Sequence, residues 1–354
     1  MENLERAEKQ SYFFTKTDLS SKISYRSMAL GVAKIQCFLD EVEGNPEDVV
    51  VVFGPDGCFT RNYERFRNGV GYGCAVSTEK YMFPKLLRPN ACGFLLIHLT
   101  EEVALREILK AHKKLKTEGV MVNGKRDKWD IYKSNHFVDL IRLETVEHPY
   151  TEEFEWLKPG EKFVLLHSSP QGYKEDLYNF RSEEMIKVET SLGPVEALSG
   201  KGASEYIELF KEAEKISKDK RVVIAESLFG EENIETVCNP THQGYFKEDS
   251  RFVMRLGTHN SQDTSSPTGK PIFPIAFNAY SKFFLYEGRP NIKYDFWTEK
   301  QRERAEELGH KKIIENINIL PHGGGYALNL PYSDVDYTIL NGEIYYKLFN
   351  PLME

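Results

Sequence analysis

Phe94-Leu-Leu-Ile-His98, followed after Leu99 by Thr100-Glu-Glu-Val-Ala-Leu-Arg-Glu-Ile-Leu-Lys-Ala-His-Lys-Lys-Leu-Lys-Thr117, decides the class of fold. The first run is short and apolar, as in the interior of a sheet. The second repeats apolar residues at helical spacing, opens on Glu101 and Glu102, and meets a stop at Gly119. A strand that feeds a helix predicts an α/β or mixed α+β architecture. Further strand-like runs cover residues 49–53, 136–143, 163–167, 222–225 and 252–256, and helical periodicity covers 27–42, 204–217 and 298–317. The strands are too irregularly spaced for a repeating βαβ barrel. With no linker and no internal repeat, the chain reads as one large domain over residues 1–354, built on central β-sheets.

Composition narrows the function. Of 354 residues, 40% are hydrophobic and 28% charged, enough for both a core and a solvated surface. The charged start, Met1-Glu-Asn-Leu-Glu-Arg6, lacks an apolar leader, and no stretch approaches the roughly 20 apolar residues of a membrane span. A cytoplasmic protein without a membrane partner is expected. Cys37, Cys58, Cys74, Cys92 and Cys238 form no CxxC pair and are odd in number, so the thiols are expected to be reduced. A net charge of −8 is unfavourable for indiscriminate nucleic-acid binding, so a nucleic-acid substrate would need a local basic patch; the lysine-rich stretch at 110–128 is the densest candidate and reads as a solvated helix face.

Function is written in short islands: Gly69-Val-Gly-Tyr-Gly-Cys74, Ser134-Asn-His136, Leu166-His167-Ser-Ser, Val237-Cys238-Asn239 and Pro321-His322-Gly-Gly-Gly325. Each sets a Cys or His among small or amide residues, at strand edges or glycine turns, where side chains project. Taken singly, each histidine reads as a hydrogen-bonded structural residue. Together they predict groups gathered from distant segments around metal or phosphate.

In order along the chain, the islands resemble the RtcB family of RNA ligases. Gly69-Val-Gly-Tyr72 with Cys74-Ala-Val resembles GVGYDINCGV, Ser134-Asn-His-Phe-Val-Asp139 resembles GNHFxE, and His167-Ser-Ser-Pro-Gln-Gly172 resembles HSGSRG. Cys238-Asn239 takes the place of an HN pair, Arg255-Leu-Gly257 resembles RKG, His322-Gly-Gly-Gly325 resembles HGAGR, and Gly54-Pro-Asp56-Gly resembles PDxHxG. The resemblance implies an enzyme that joins an RNA 3′-phosphate or 2′,3′-cyclic phosphate end to a 5′-hydroxyl end, with GTP and two Mn²⁺ ions. It implies His322 as the nucleophile that takes GMP, Cys74 as a thiolate bridging the ions, and His136, His167 and Cys238 as further ligands. A Cys in place of a ligating His softens the site towards Zn²⁺. His242 is the rival ligand if Cys238 points into the core. Nucleotide contacts are expected from Asn135, Asp139, Asn239, Arg255, Gly323, Gly324 and Gly325.

Three departures accompany the likeness. No Asp stands before Cys74, and Asp56 is the nearest carboxylate to replace it. Gln171 and Leu256 stand where the family has Arg and Lys, which thins the cationic phosphate contacts. The residues leave open a metal-dependent phosphatase or phosphodiesterase, and a non-catalytic binder of RNA ends. Cys37, Cys58 and Cys92 fall outside the matching islands and are expected to be structural.

Overall fold

A computed structural model describes residues 2–350 apart from 15–17, 61, 134, 148–153, 155–156, 265, 268, 278–280, 291–292, 294–295, 325–327, 329–333 and 342. The fold is mixed α/β with several sheets. A five-stranded sheet runs in the order Ser11–Phe13, Val50–Cys58, Tyr72–Thr78, Arg251–Leu256, Gln243–Glu248, with only its first pair parallel. A four-stranded antiparallel sheet runs Ile234–Cys238, Gly93–Leu99, Lys162–Ser168, Phe137–Arg142. Gly93–Leu99 is buried along its whole length, which explains its unbroken apolar sequence.

The helix Leu19–Glu41 opens on a capping box: Ser21 N–H donates to Asp18 Oδ1 at 2.7 Å, and Asp18 N–H to Ser21 Oγ at 3.3 Å. It packs against the chain at Gly69, which has φ 79°. A Cβ there would lie 2.6 Å from Gly31 N and from Ser27 O. The glycines of the first island therefore serve a close backbone crossing.

Two expected elements change. Residues 222–225, read as a strand, lie inside the helix Gly200–Phe229. Its buried positions, Ser217, Lys220, Arg221, Ile224, Ala225, Leu228 and Phe229, step by three and four, so the helical face overrides the preference of Val222-Val-Ile for strands. The helix expected over 298–317 is two, Glu299–Glu307 and Lys311–Asn316, separated where Gly309 takes φ 71°. The helix after Thr100 starts later, at Leu105, and stops at Gly119 with φ 80°.

One apolar cluster joins the helix Leu19–Glu41 to the five-stranded sheet, and a second joins the four-stranded sheet to the helix Gly200–Phe229. No helix of the described residues is long and apolar enough to cross a membrane.

Candidate metal centre

One end of the four-stranded sheet gathers a thiol and imidazoles. Cys92 immediately precedes the strand Gly93–Leu99, His136 precedes Phe137–Arg142, and His167 lies in Lys162–Ser168 between them. Register fixes their meeting, because His167 faces Phe94 on one neighbour and Phe137 on the other. Cys92 Sγ lies 2.8 Å from His167 Nε2 and 3.4 Å from His136 Nε2. The three ligand atoms all lie within 4.8 Å of one another, are buried, and can hold a metal ion. His242 joins from the side, with its Nε2 3.2 Å from His167 Nε2. Its backbone N–H donates to Cys92 O at 3.0 Å. Glycine at 93 makes this approach possible: a Cβ there would meet Pro240 O at 2.4 Å and the Arg221 guanidinium at 2.9 Å.

The outer contacts aim the rings. His167 Nδ1 lies 2.7 Å from Asn135 O, and a carbonyl only accepts, so Nδ1 carries the proton and Nε2 presents its lone pair to the centre. His136 Nδ1 lies 2.7 Å from Asp130 Oδ2. Asp130 also accepts from Ser168 Oγ at 3.0 Å and Ser169 N–H at 3.2 Å, and it pairs with Lys220 at 2.9 Å. Lys220, fully buried on the helix Gly200–Phe229, reaches Asp127 at 2.9 Å too. Burial works to raise the pKa of Asp130, but His136 and Lys220 outweigh it and hold the carboxyl well below its usual range. Burial likewise opposes ionisation of Cys92, yet His167 and His136 outweigh it and pull the thiol well below its ordinary value. His136 is raised to about 9: burial opposes its charge, and Cys92 and Asp130 overcome that. Without a metal, these shifts describe a Cys92 thiolate beside a protonated His136.

A second arrangement abuts it. Asp56 Oδ2 lies 3.0 Å from His322 Nδ1 and accepts from the backbone N–H groups of His322 at 3.2 Å and Gly323 at 3.1 Å. In the neutral ring this places the proton on Nδ1 and leaves Nε2 nucleophilic. Gly323 (φ 76°) is required, since a Cβ would lie 2.5 Å from Ala276 O. Phe94 connects the two arrangements, its ring centroid 4.7 Å from His167, 4.8 Å from His242, 6.0 Å from His259 and 6.2 Å from His322. Burial first, and then the charge of His322, push His242 and His259 well below the usual imidazole pKa.

Cys92 and His136 also line a cavity of about 370 Å³, with Tyr72, Asn90, Asn135, Lys128, Lys133 and Lys174 among its walls. A larger one of about 740 Å³, beside Lys211 and Phe246, contains no His or Cys. The smaller cavity is the relevant one, because it opens on the ligand cluster.

The structure brings together His136, His167 and, beside them, His322, but neither of the two cysteines expected as ligands. Cys74 sits between Phe53 and Leu256 in the five-stranded sheet and belongs to its apolar cluster, where burial pushes its thiol far up. Cys238 pairs with Leu96 in an apolar cluster with Val237 and is raised in the same way. Cys92, expected to be structural, is the thiol of the cluster, and His242 stands where Cys238 was expected. Two nucleotide contacts are committed elsewhere: Arg255 is bound bidentately by Glu248 at 2.7 and 2.9 Å and donates to Ile317 O at 3.0 Å. Asn239 accepts from Arg221 Nε at 2.7 Å and donates to Lys218 O at 3.2 Å. Asn135 lines the cavity, Asp139 is half-buried with its pKa raised by burial, and the Gly323 N–H is taken by Asp56 while Gly324 has φ 66°. Gly325 and Ser134 lie outside the described residues. The signal for Cys92 was present in Asn90-Ala-Cys92-Gly93, a Cys beside small residues at a strand edge, as in the islands.

Compared with known proteins, the chain matches no family model and no curated sequence.

Proposed function

We propose that the chain is an RtcB-like RNA ligase that joins a 3′-phosphate or 2′,3′-cyclic phosphate end to a 5′-hydroxyl end, using GTP and His322 as the nucleophile. The observation that carries this is the Asp56–His322 contact at 3.0 Å beside a buried thiolate and imidazole cluster. His322 Nε2 attacks the α-phosphorus of GTP, a P–N bond forms, and the P–O bond to pyrophosphate breaks. Asp56 fixes the tautomer beforehand and balances the positive charge the ring then carries. With Cys92 as the thiol, the likeness no longer draws its cysteine from the Gly69–Cys74 island and rests on His136, His167 and His322 with Asp56.

The RNA end belongs in the 370 Å³ cavity, where Lys128, Lys133 and Lys174 stand in for the family's missing cations. Cys92, His136 and His167 would hold a divalent ion, which would supply Lewis acidity towards a phosphoryl oxygen. The family's pair of Mn²⁺ ions fits the donor set poorly, since no carboxylate of the described residues joins the cluster. The cytoplasm, which keeps Cys92 reduced, suits this chemistry.

Incubation with GTP labelled at the α-phosphate tests the reading. An acid-labile adduct that disappears in His322→Ala, with joining of 3′-phosphate RNA, is the expected result. RNA-end hydrolysis without an adduct would replace the ligase with a phosphodiesterase, and RNA binding without either reaction would leave a non-catalytic end binder.

A further inference from the structure

The two-metal arrangement implied by the resemblance requires anionic ligands, and the centre offers few. Cys92 supplies one thiolate, while His136, His167 and His242 supply neutral imidazoles. Both nearby carboxylates are turned to other work. Asp130 stands on the far side of His136 and is neutralised by Lys220, and Asp56 holds His322. Asp56 keeps one buried oxygen, Oδ1, without a partner, yet it lies outside the group of convergent ligand atoms.

Charge limits the occupancy further. With His136 neutral, as ligation requires, the ionic groups around the centre are Cys92, Asp56, Asp127 and Asp130 against Lys220, Arg221 and Arg65, an excess of one negative charge. Arg255 does not enter, because Glu248 neutralises it. One divalent ion turns the excess into a single positive charge, which a bound phosphate matches. A second ion would leave three positive charges in an interior that cannot hydrate them, which desolvation strongly disfavours.

We infer that the centre is mononuclear and holds one zinc-class ion through Cys92, His136, His167 and His242, rather than a manganese pair. A thiolate with three imidazoles is a four-coordinate set of the kind that prefers Zn²⁺ or Co²⁺ to Mn²⁺. His242 lies outside the three ligand atoms that already converge, but its Nε2 is 3.2 Å from His167 Nε2, and its buried Nδ1 has no hydrogen-bond partner that a shift of the ring towards an ion would break. The inference rests on the geometry of the centre and not on the ligase reading.

The test is metal content, measured without RNA or GTP. The stripped full-length chain is dialysed against equal concentrations of zinc, cobalt and manganese chlorides, and bound metal is counted by mass spectrometry. One zinc or cobalt ion per chain is expected. Cobalt alone should give a thiolate-to-metal charge-transfer band that is lost in Cys92→Ser and kept in Cys74→Ala and Asp56→Asn. If Cys92→Ser fails to fold, as judged by circular dichroism, His242→Gln serves instead, with zinc affinity lowered about 100-fold. Two ions per chain, manganese retained over zinc, no metal at all, full affinity in His242→Gln, or loss of an ion in Asp56→Asn would each overturn the inference. A chain that binds one zinc yet joins no RNA would sink the ligase reading alone.

Discussion

Cys92 and Cys74 are both buried free thiols close to glycine, and each stands at one of the two large sheets. At the end of the four-stranded sheet, two imidazoles pull Cys92 well below the usual thiol pKa, whereas inside the five-stranded sheet burial among Phe53, Val70 and Leu256 pushes Cys74 far above it. Burial acts on both in the same direction. What separates them is the strand register, which delivers His167 opposite Phe94, two residues along the chain from Cys92. A cysteine's chemistry is set by what the neighbouring strands bring to it, and adjacent words in the sequence carry less of that information than cross-strand partners do.

The sharpest break of this comparison is to truncate each thiol in turn. Cys92→Ala should lose bound metal and RNA joining together. Cys74→Ala should keep its metal and cost about 1–3 kcal/mol of stability through a core cavity, read from the denaturant midpoint. The opposite pattern would return the centre to the five-stranded sheet. That sheet does contribute Asp56, and Asp56→Asn should lower formation of the labelled adduct about 10²- to 10⁴-fold while metal content stays constant. Lys220→Met leaves Asp127 and Asp130 buried without their cation, so a loss of about 3–5 kcal/mol is expected, together with weaker zinc binding. Thermal unfolding with and without zinc separates those two effects.

The smallest expected effect concerns protons. In the metal-free chain His136 is held at about 9, so an ion that takes its Nε2 expels a proton at any lower pH. Zinc affinity should therefore climb as pH rises towards 9 and level off above it, with proton release detectable in weak buffer. The same shift stabilises the metal-free fold fully below the unfolded histidine value of about 6.5, and that contribution is lost as pH rises through 9. A flat affinity profile would detach His136 from the centre.

Much of the fold was legible. The strands around residues 94–98 and 163–167 fall where their unbroken apolar runs placed them, because strands buried on both faces leave no other pattern. The strand reading at 222–225 failed because three β-branched residues in a row outweighed a face of period 3.6 that becomes visible only over the full helix, Gly200–Phe229. In the site, His136 and His167 were legible from their small or amide neighbours. The thiol was misassigned since Gly69-Val-Gly-Tyr72 matched a known segment, although its first glycine is needed for packing against Gly31. Arg255 and Asn239 show the same difficulty from the other side. A polar residue's type is written in the sequence, but whether Glu248 or Arg221 has already claimed it is a long-range fact.

Phe94 stands at the hub of four imidazoles, within 6.2 Å of each. A phenyl ring so placed casts an aromatic ring current over His167, His242, His259 and His322 at once. Their proton resonances should sit displaced from those of a free histidine and move in concert when Phe94→Leu removes the current, giving one magnetic reporter for the geometry of both the Cys92 cluster and the Asp56–His322 pair.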